Sequence, residues 1–542
     1  MLRFMKDVGG TLVMLVGLSA LLVPSMANAA GATAIVAGHR HTCAVTNGGA
    51  IQCWGWNVYG GLGDGTTTDR LAPVQVIGLT SGVTASAAGP YQTCAVTTGG
   101  ALKCWGGNQF GQLGDGTTVP PFRATPAPVS GLDSGVVAVT ASYYHTCALT
   151  SGGAVLCWGA NFNGRLGDGT TADRLTPVAV SGLSSGVVAL SGGAHHTCAV
   201  TSVGAVLCWG ANFDGQLGDG TTTDRLTPVA VSGLASGVVA VSAGLYHTCA
   251  VTSGGALTCW GNNANGQLGD GTTVPAYRPT PAPVTGLGIG VSAVAAGEGH
   301  TCALTTVGAV LCWGANANGQ VGDGSTTERA TPVPVSALVT AAKAITAGQW
   351  HTCALTVSGT VTCWGYNGSG GLGDGTTSDR HTPVIVTGFE GAAPTITTAN
   401  PPAGKVAGPY LLALAATGGA SPYSWTLVSG TIPPGLTLSA QGVLSGKPLL
   451  AGTYAFRIRV TGADAASSEA SLTLTIDLFR RYFAEGATSG FFNCYLALVN
   501  PGSTTSANVT LSFLRYDSQT FVEVVQVPPL TRRTIESTSD LF

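Results

Sequence analysis

The sequence predicts an all-β protein: a seven-bladed β-propeller, followed by an immunoglobulin-like β-sandwich and a short β-rich C-terminal module. Three observations carry this expectation. A block H-T-C-A-[V/L]-T-x-x-G-x-[V/I/L]-x-C-W-G-x-N-x-x-G-x-[L/V]-G-D-G-[T/S]-T returns seven times, with its first cysteine at Cys43, Cys94, Cys147, Cys198, Cys249, Cys302 and Cys353, a spacing of 51 or 53 residues. Each block holds four strand-sized runs, and the chain of 542 residues, rich in Gly, Thr, Ala, Ser and Val, has no long amphipathic helical pattern. A repeat of this size is one supersecondary unit that buries its apolar face only against its neighbours. Four antiparallel strands per unit is the blade pattern of a propeller, with an open solenoid as the architectural alternative.

Taken in chain order, residues 1–30 read as a secretory signal peptide. Arg3 and Lys6 form a basic start, an apolar run extends from Val8 to Val23, and Ala27-Asn28-Ala29 supplies a small-residue cleavage site. The run is broken by Gly9, Gly10 and Gly17 and ends at Pro24, short of the ~20 apolar residues of a membrane span. The expectation is a secreted or cell-surface protein without a transmembrane span in the mature chain.

Residues 31–389 are the expected propeller, and the third unit illustrates it. Val136 to Val139, Thr146 to Thr150, Ala154 to Trp158 and Pro177 to Val180 read as its four strands. Ser151-Gly152-Gly153 has the length and chemistry of a three-residue hairpin loop, and Pro177 suits the opening of an edge strand. Cys147 and Cys157 lie equally far from Gly152, so they face each other across the two middle strands at a separation of ~4.5–5.5 Å, inside the disulfide window. The same count predicts seven bridges: Cys43 to Cys53, Cys94 to Cys104, Cys147 to Cys157, Cys198 to Cys208, Cys249 to Cys259, Cys302 to Cys312 and Cys353 to Cys363.

Metal is the rival reading, because His145-Thr146-Cys147 puts an imidazole and a thiol on one strand face. Against zinc stand the lack of a C-x-x-C pair and Gln92 in the histidine place of the second unit. The blander reading is a histidine whose ring bonds neighbouring backbone alike in every blade. Calcium wants six or more oxygen ligands, usually several carboxylates, and each W-G-x-N…G-D-G loop offers Asp168, a more distant Asp173, or their equivalents. No metal and no cofactor are expected. Each unit also carries an arginine, Arg70, Arg123, Arg174, Arg225, Arg278, Arg329 or Arg380, which points to a loop-closing or blade-to-blade ion pair with that aspartate.

What all seven units share is explained by the blade, so a specific site belongs where they differ. One place is the pair before each H-T-C (Q-T-C in the second unit): His39-Arg40, Pro90-Tyr91, Tyr143-Tyr144, Ala194-His195, Leu245-Tyr246, Glu298-Gly299 and Gln349-Trp350. The other follows W-G: Trp56, Val58 and Tyr59; Gln109 and Phe110; Phe162; Phe213 and Asp214; Tyr366. In an up-down-up-down blade both loops emerge on one face. That face is therefore expected to gather His39, Arg40, Tyr59, Tyr91, Phe110, Tyr143, Tyr144, Phe162, His195, Phe213, Tyr246, Trp350 and Tyr366, residue types enriched in binding hot spots. The bland reading of any one ring is that it covers loop backbone.

These units resemble repeats of the regulator of chromosome condensation family, over roughly residues 32 to 389. The resemblance implies a seven-bladed propeller. The family's founding role, guanine-nucleotide exchange on a nuclear GTPase with histone binding, fits poorly with an export signal, paired cysteines and no basic arm. Secreted bacterial relatives include inhibitor propellers that clasp a β-lactamase on one face, which encourages a protein-binding reading.

Residues 390–394 read as a linker and 395–477 as an immunoglobulin-like β-sandwich. Its string Pro422-Tyr423-Ser424-Trp425, Pro433-Pro434-Gly435-Leu436, Gly442-Val443-Leu444-Ser445-Gly446 and Ala451-Gly452-Thr453-Tyr454 resembles the immunoglobulin-like modules of bacterial surface proteins, which serve as spacers or stalks. Residues 478–542 form a small β-rich module that ends soon after a strand-like run. Cys494, the odd cysteine, alternates with Phe492, Leu496 and Leu498 and reads as a core thiol, with an intermolecular bridge as the alternative.

Charge excludes one class of function. With 22 Lys and Arg against 25 Asp and Glu and no basic run, the chain lacks the cationic surface on which nucleic-acid affinity rests. Nothing assembles a nucleophile with a base, and no phosphate loop or G-x-S-x-G occurs, so no enzyme is expected. The expected function is an exported scaffold for binding or adhesion, recognising a protein or glycan at the cell exterior through the aromatic face. Alternatives are a secreted inhibitor of an extracellular hydrolase, a guanine-nucleotide-exchange-type regulator and a propeller hydrolase or lyase.

Overall fold

β-Branched runs broken by Gly-rich turns can satisfy their backbone only by pairing with the next run, and the third unit does this four times over. In the computed structural model its strands are Val136–Ala141, His145–Thr150, Val155–Gly159 and Arg174–Ala179, paired in chain order into one antiparallel sheet. Six further four-stranded sheets repeat this order. The structure describes residues 31–338, 340–391, 393–463, 466–478, 495–499, 506–514, 520–529 and 531–536; the signal-peptide and Cys494 expectations lie outside them. No helix occurs among the described residues.

Two details of the strand reading are corrected. The outer strand begins at Arg174, with Gly159 opposite it, so Pro177 lies within the strand. An edge strand tolerates this because one side of its ladder needs no N–H donor. The inner strand also runs on to Ala141, where it faces Thr146.

The register of the middle strands puts Cys147 opposite Cys157, and all seven such pairs are disulfide-bonded with Cα atoms 4.1 Å apart. These bridges sit within a core that belongs to pairs of blades. In one cluster Cys147, Leu149, Val155, Cys157, Leu166, Val180 and Leu183 of the third blade enclose Val187, Ala199 and Trp209 of the fourth. Gly167 makes room for this: at φ +69° its absent Cβ would lie 2.7 Å from Trp209 Nε1.

Buried polar groups must be paired, and here they are paired across the blade junctions. Trp209 Nε1 donates to Arg165 O at 3.0 Å, Thr197 Oγ1 donates to the same carbonyl at 3.2 Å, and His145 Nε2 lies 2.9 Å from Thr197 Oγ1. Because the threonine spends its proton on the carbonyl, the histidine is the donor to it, which assigns the Nε2–H tautomer. The sequence-based expectation that these rings bond neighbouring backbone is thus corrected: the partner is a hydroxyl on the next blade. The second blade differs, since Gln92 Nε2 there donates to Ser142 O at 2.8 Å.

The ring closes in the same way as its other junctions. His351 Nε2 lies 2.9 Å from Thr42 Oγ1, Thr42 Oγ1 and Trp54 Nε1 donate to Gly371 O at 2.9 and 3.0 Å, and Ala32 N donates to Gly359 O at 2.8 Å. Trp54 enters a cluster with Leu355, Val361, Leu372, Val386 and Phe389. No strand is exchanged between the first and seventh blades, each of which is built from consecutive strands. Closure rules out the open solenoid.

The sandwich packs the sheet Gly404–Lys405, Ser467–Asp477, Gly452–Thr461, Ser424–Gly430 against Tyr410–Ala413, Val443–Gly446, Leu436–Leu438. Along Gly452–Thr461 burial alternates, with Phe456, Ile458 and Val460 inward, the period-2 signature of a half-buried strand. They meet Tyr410, Trp425, Leu436, Leu444, Leu472, Leu474 and Ile476 in a core of their own. Further on, Ala507–Leu514 pairs with Thr520–Val527, and Tyr495–Val499 with Arg532–Glu536.

A ring-lined face as candidate functional site

The loop after W-G is held from inside. Asn161 is fully buried; its Nδ2 donates to Asp168 Oδ1 at 3.1 Å and Thr170 O at 3.0 Å, its Oδ1 accepts from Leu166 N at 3.0 Å, and its own N–H reaches Asp173 Oδ1 at 2.7 Å. Asp168 Oδ1 also accepts from Thr170 N and Oγ1, and Oδ2 accepts from Arg174 Nε and Nη2, both at 2.8 Å. Both carboxylate oxygens are therefore committed within the loop, which leaves no ligand set for calcium there. Burial pushes this carboxyl up, but the Thr170 hydroxyl, the Arg174 guanidinium and the Thr170 amide outweigh it and hold it below the usual range. All seven units carry the same ion pair, and it closes its own loop.

A rigid W-G loop can in turn carry the variable pair before H-T-C. In every blade one backbone bond ties the two: Trp56 N to Arg40 O, Gly107 N to Tyr91 O, Ala160 N to Tyr144 O, Ala211 N to His195 O, Asn262 N to Tyr246 O, Ala315 N to Gly299 O and Tyr366 N to Trp350 O, at 2.7–3.0 Å. Both variable sets are thereby fixed on one face, and their side chains meet as a connected chain of rings.

Tyr143 is the hub. Its ring lies 5.5 Å from His39, 6.3 Å from Tyr91, 5.9 Å from Tyr144 and 6.0 Å from His195. On one side Tyr91 continues to Tyr59 and Trp56, and Tyr144 to Phe110 and then Phe162. On the other, His195 stacks on Tyr246 and approaches Phe213. His39 leads to Trp350 and on to Tyr366, with the Arg40 guanidinium 4.7 Å from the Trp350 ring centre. The structure thus brings together His39, Arg40, Tyr59, Tyr91, Phe110, Tyr143, Tyr144, Phe162, His195, Phe213, Tyr246, Trp350 and Tyr366. Most are half-buried, while Phe162 and Phe213 are 46% and 51% exposed.

Electrostatics keep the face largely neutral near pH 7. Burial, helped by the neighbouring Arg40 charge, lowers the His39 pKa to about 3, and burial lowers that of His195 to about 4. Burial pushes the Tyr91 hydroxyl up to about 12 and raises Tyr143 and Tyr246 as well. Two carboxylates, Glu298 and Asp214, are raised by burial.

Sequence reasoning missed Arg165. It is fully buried, its Cζ 3.8 Å from the Phe162 ring centre, and its Nη2 donates to Asn163 Oδ1 at 3.1 Å. Burial brings its pKa down to about 10. The signal was available: it stands where the other units carry Gly61, Gln112, Gln216, Gln267, Gln320 and Gly371.

A closed ring of seven four-stranded blades, each locked by an Asn-Asp-Arg loop and a Trp-to-carbonyl bond, defines an RCC1-like propeller, and the chain belongs to that family. The sequence profile of the RCC1-like domain matches residues 85–401, that of the Regulator of chromosome condensation (RCC1) repeat matches 49–96 and 32–60, and that of the Putative Ig domain matches 393–477. Among individual relatives, the chain is 33% identical over 362 residues to the ultraviolet-B receptor UVR8 of Arabidopsis thaliana, covering 65% of this chain and 81% of the receptor. It is 32% identical over 373 residues to the human E3 ubiquitin-protein ligase HERC2, covering 65% of this chain but 7% of the ligase. Prp20p from Saccharomyces cerevisiae shares the fold, with a TM-score of 0.56 at 23% identity over 68% of this chain and 90% of that one.

Proposed function

We propose that this chain is an exported, non-enzymatic scaffold that captures a partner protein on the ring-lined face of its propeller. The observation that carries the reading is the connected ring network, formed from just those positions at which the seven units differ. Rigid aromatic side chains give contact area at low entropic cost, and hot spots cluster in such patches. Seven bridges in one domain favour an oxidising compartment, in keeping with the signal-like residues 1–30. The sandwich serves as a spacer between the propeller and whatever anchors it.

The test is capture of partners from the cell exterior, with wild type beside variants carrying Tyr143→Ala, Tyr144→Ala, Tyr246→Ala and Trp350→Ala. Loss of partners from folded variants is expected; a partner set unchanged in all four overturns the reading, and glycans captured in place of proteins would change the partner class. Export has its own readout. Of fifteen cysteines fourteen are bridged, so alkylation of the unreduced secreted protein should label one thiol. Inhibition of an extracellular hydrolase on capture would narrow the function to that of an inhibitor.

A further inference from the structure

The inner strands leave a channel along the propeller axis, a cavity of about 120 Å³ walled by small residues such as Ala37, Gly89, Gly193 and Ala243. It holds several atoms, since one water needs only ~10–15 Å³ by the same measure. Its rim on the ring-lined face has seven equivalent positions: six carry His39, Pro90, Tyr143, Ala194, Leu245 and Gln349, and the seventh carries an acid, Glu298. The sixth blade, which supplies Glu298, contributes no ring to the network, and Gly299 follows the acid, so the collar of rings is open there.

Glu298 is the carboxylate at the channel mouth, and no lysine or arginine forms an ion pair with it. Each of the seven loop aspartates is paired with an arginine. Glu298 Oε2, by contrast, accepts no hydrogen bond, and its ion-pair neighbour is His39 Nε2 at 4.0 Å. His39 does not neutralise it, being uncharged above about pH 3 and engaged at Nε2 with Tyr143 Oη at 3.0 Å. Arg40 acts on the carboxylate only through space, since its Nε is bonded to Gln349 Oε1 at 3.4 Å and its guanidinium lies over Trp350 and Tyr366. Tyr246 and Tyr143 face the carboxylate as neutral phenols. A half-buried carboxylate without a counter-ion gains from a cation brought to it, and aromatic walls attract the same cation.

We infer that the channel mouth receives a lysine ammonium presented by the partner, with Glu298 as its counter-charge and the Tyr143 and His39 rings as its wall. This rests on the proposed protein-binding role of the face. Gln349 occupies one side of the carboxylate as a hydrogen-bond donor, and Oε2, unpartnered and buried beneath the rim of a partly exposed side chain, meets the ammonium once the carboxylate turns toward the channel. A single edge suits an ammonium, a compact point donor, better than the planar fork of a guanidinium, which seeks both oxygens. The aliphatic stem of the lysine lies against Leu245 and the rings, as such stems do on apolar surface.

The test uses the full-length protein and three probes, the N-acetylated, C-amidated tripeptides Gly-Lys-Gly, Gly-(Nε-acetyl-Lys)-Gly and Gly-Arg-Gly, read by ligand-observed NMR titration. The lysine peptide is expected to bind about fivefold more tightly than its acetylated form, the scale of one partly exposed ion pair. Glu298→Gln should erase that preference and Glu298→Asp should keep part of it, both at an unchanged thermal midpoint. Equal binding of the lysine and acetyl-lysine peptides overturns the inference, as does a preference that survives Glu298→Gln; arginine bound as tightly as lysine overturns the ammonium assignment. If lysine is not preferred but partner capture still depends on Tyr144 and Trp350, the ring face stands and only this inference falls. If lysine is preferred while capture ignores those rings, the reverse holds.

Discussion

Single residues in this protein act chiefly by what they satisfy. The Asp168–Arg174 pair is partly exposed, the arginine side chain 38% so, and exposed ion pairs are worth ~1 kcal/mol or less. Its value lies in fixing an Asn161 loop that carries a ring. Arg174→Met should lower stability by about 1 kcal/mol and loosen Phe162, checked by thermal melting; an unchanged midpoint would show the pair to be idle. The histidines make a stronger statement. Burial lowers the pKa of His41 and His247 to about 4, that of His196, His300 and His351 to about 3, and that of His145 well below 6.5. The folded rings stay neutral where unfolded ones, near ~6.5, take up protons. Stability is therefore fully present above about pH 6.5 and drains away as pH falls toward 3–4. Thermal midpoints measured across that window should drop steeply, and His196→Gln, copying the junction built by Gln92, should flatten the slope.

At the level of the strand and hairpin, the disulfide and the junction relay divide the work. Each bridge joins cysteines ten residues apart on neighbouring strands, so it tightens one blade and closes a short loop. Cys147→Ala with Cys157→Ala should cost about 2–3 kcal/mol by loop-closure entropy, read by denaturant unfolding, without opening the ring. The relay through His145, Thr197, Arg165 O and Trp209 joins blades instead. Truncating Trp209 to Ala empties a site shared by two blades and should cost about 3–5 kcal/mol, a loss comparable with that of Trp54→Ala at the closing junction, since both indoles are fully buried and make the same bond.

For the molecule as a whole, closure without strand exchange has a direct consequence. A propeller whose last junction matches the others has no privileged starting blade. A circular permutant opened between Thr80 and Ser81 in an exposed loop, with Phe389 linked to Gly31, should fold and melt within a few degrees of the parent. A large loss would reveal a role for the native termini. The sandwich core of Tyr410, Trp425, Phe456 and their neighbours contains no propeller residue, so residues 393–478 should fold alone, with a cooperative melt as the check.

Much of this was legible in the sequence, because a repeat states its own boundaries: blade number, hairpin turns, cysteine facing and the choice of face all follow from counting along like units, given that strands alternate with period two. The sandwich was legible too, from turn residues and alternating apolar positions. Other features required the third dimension. The histidine partner, the shared carbonyl that binds both Thr197 and Trp209, the burial of Arg165 and the unneutralised state of Glu298 depend on what the adjacent blade places opposite each group, and for the histidine and the carbonyl that neighbour lies 32 to 52 residues away in sequence. Local pattern therefore determined the blades and their ring-bearing loops, whereas only tertiary packing decided which buried groups found partners and which charge was left without one, because desolvation and pairing are set by distances across the junctions.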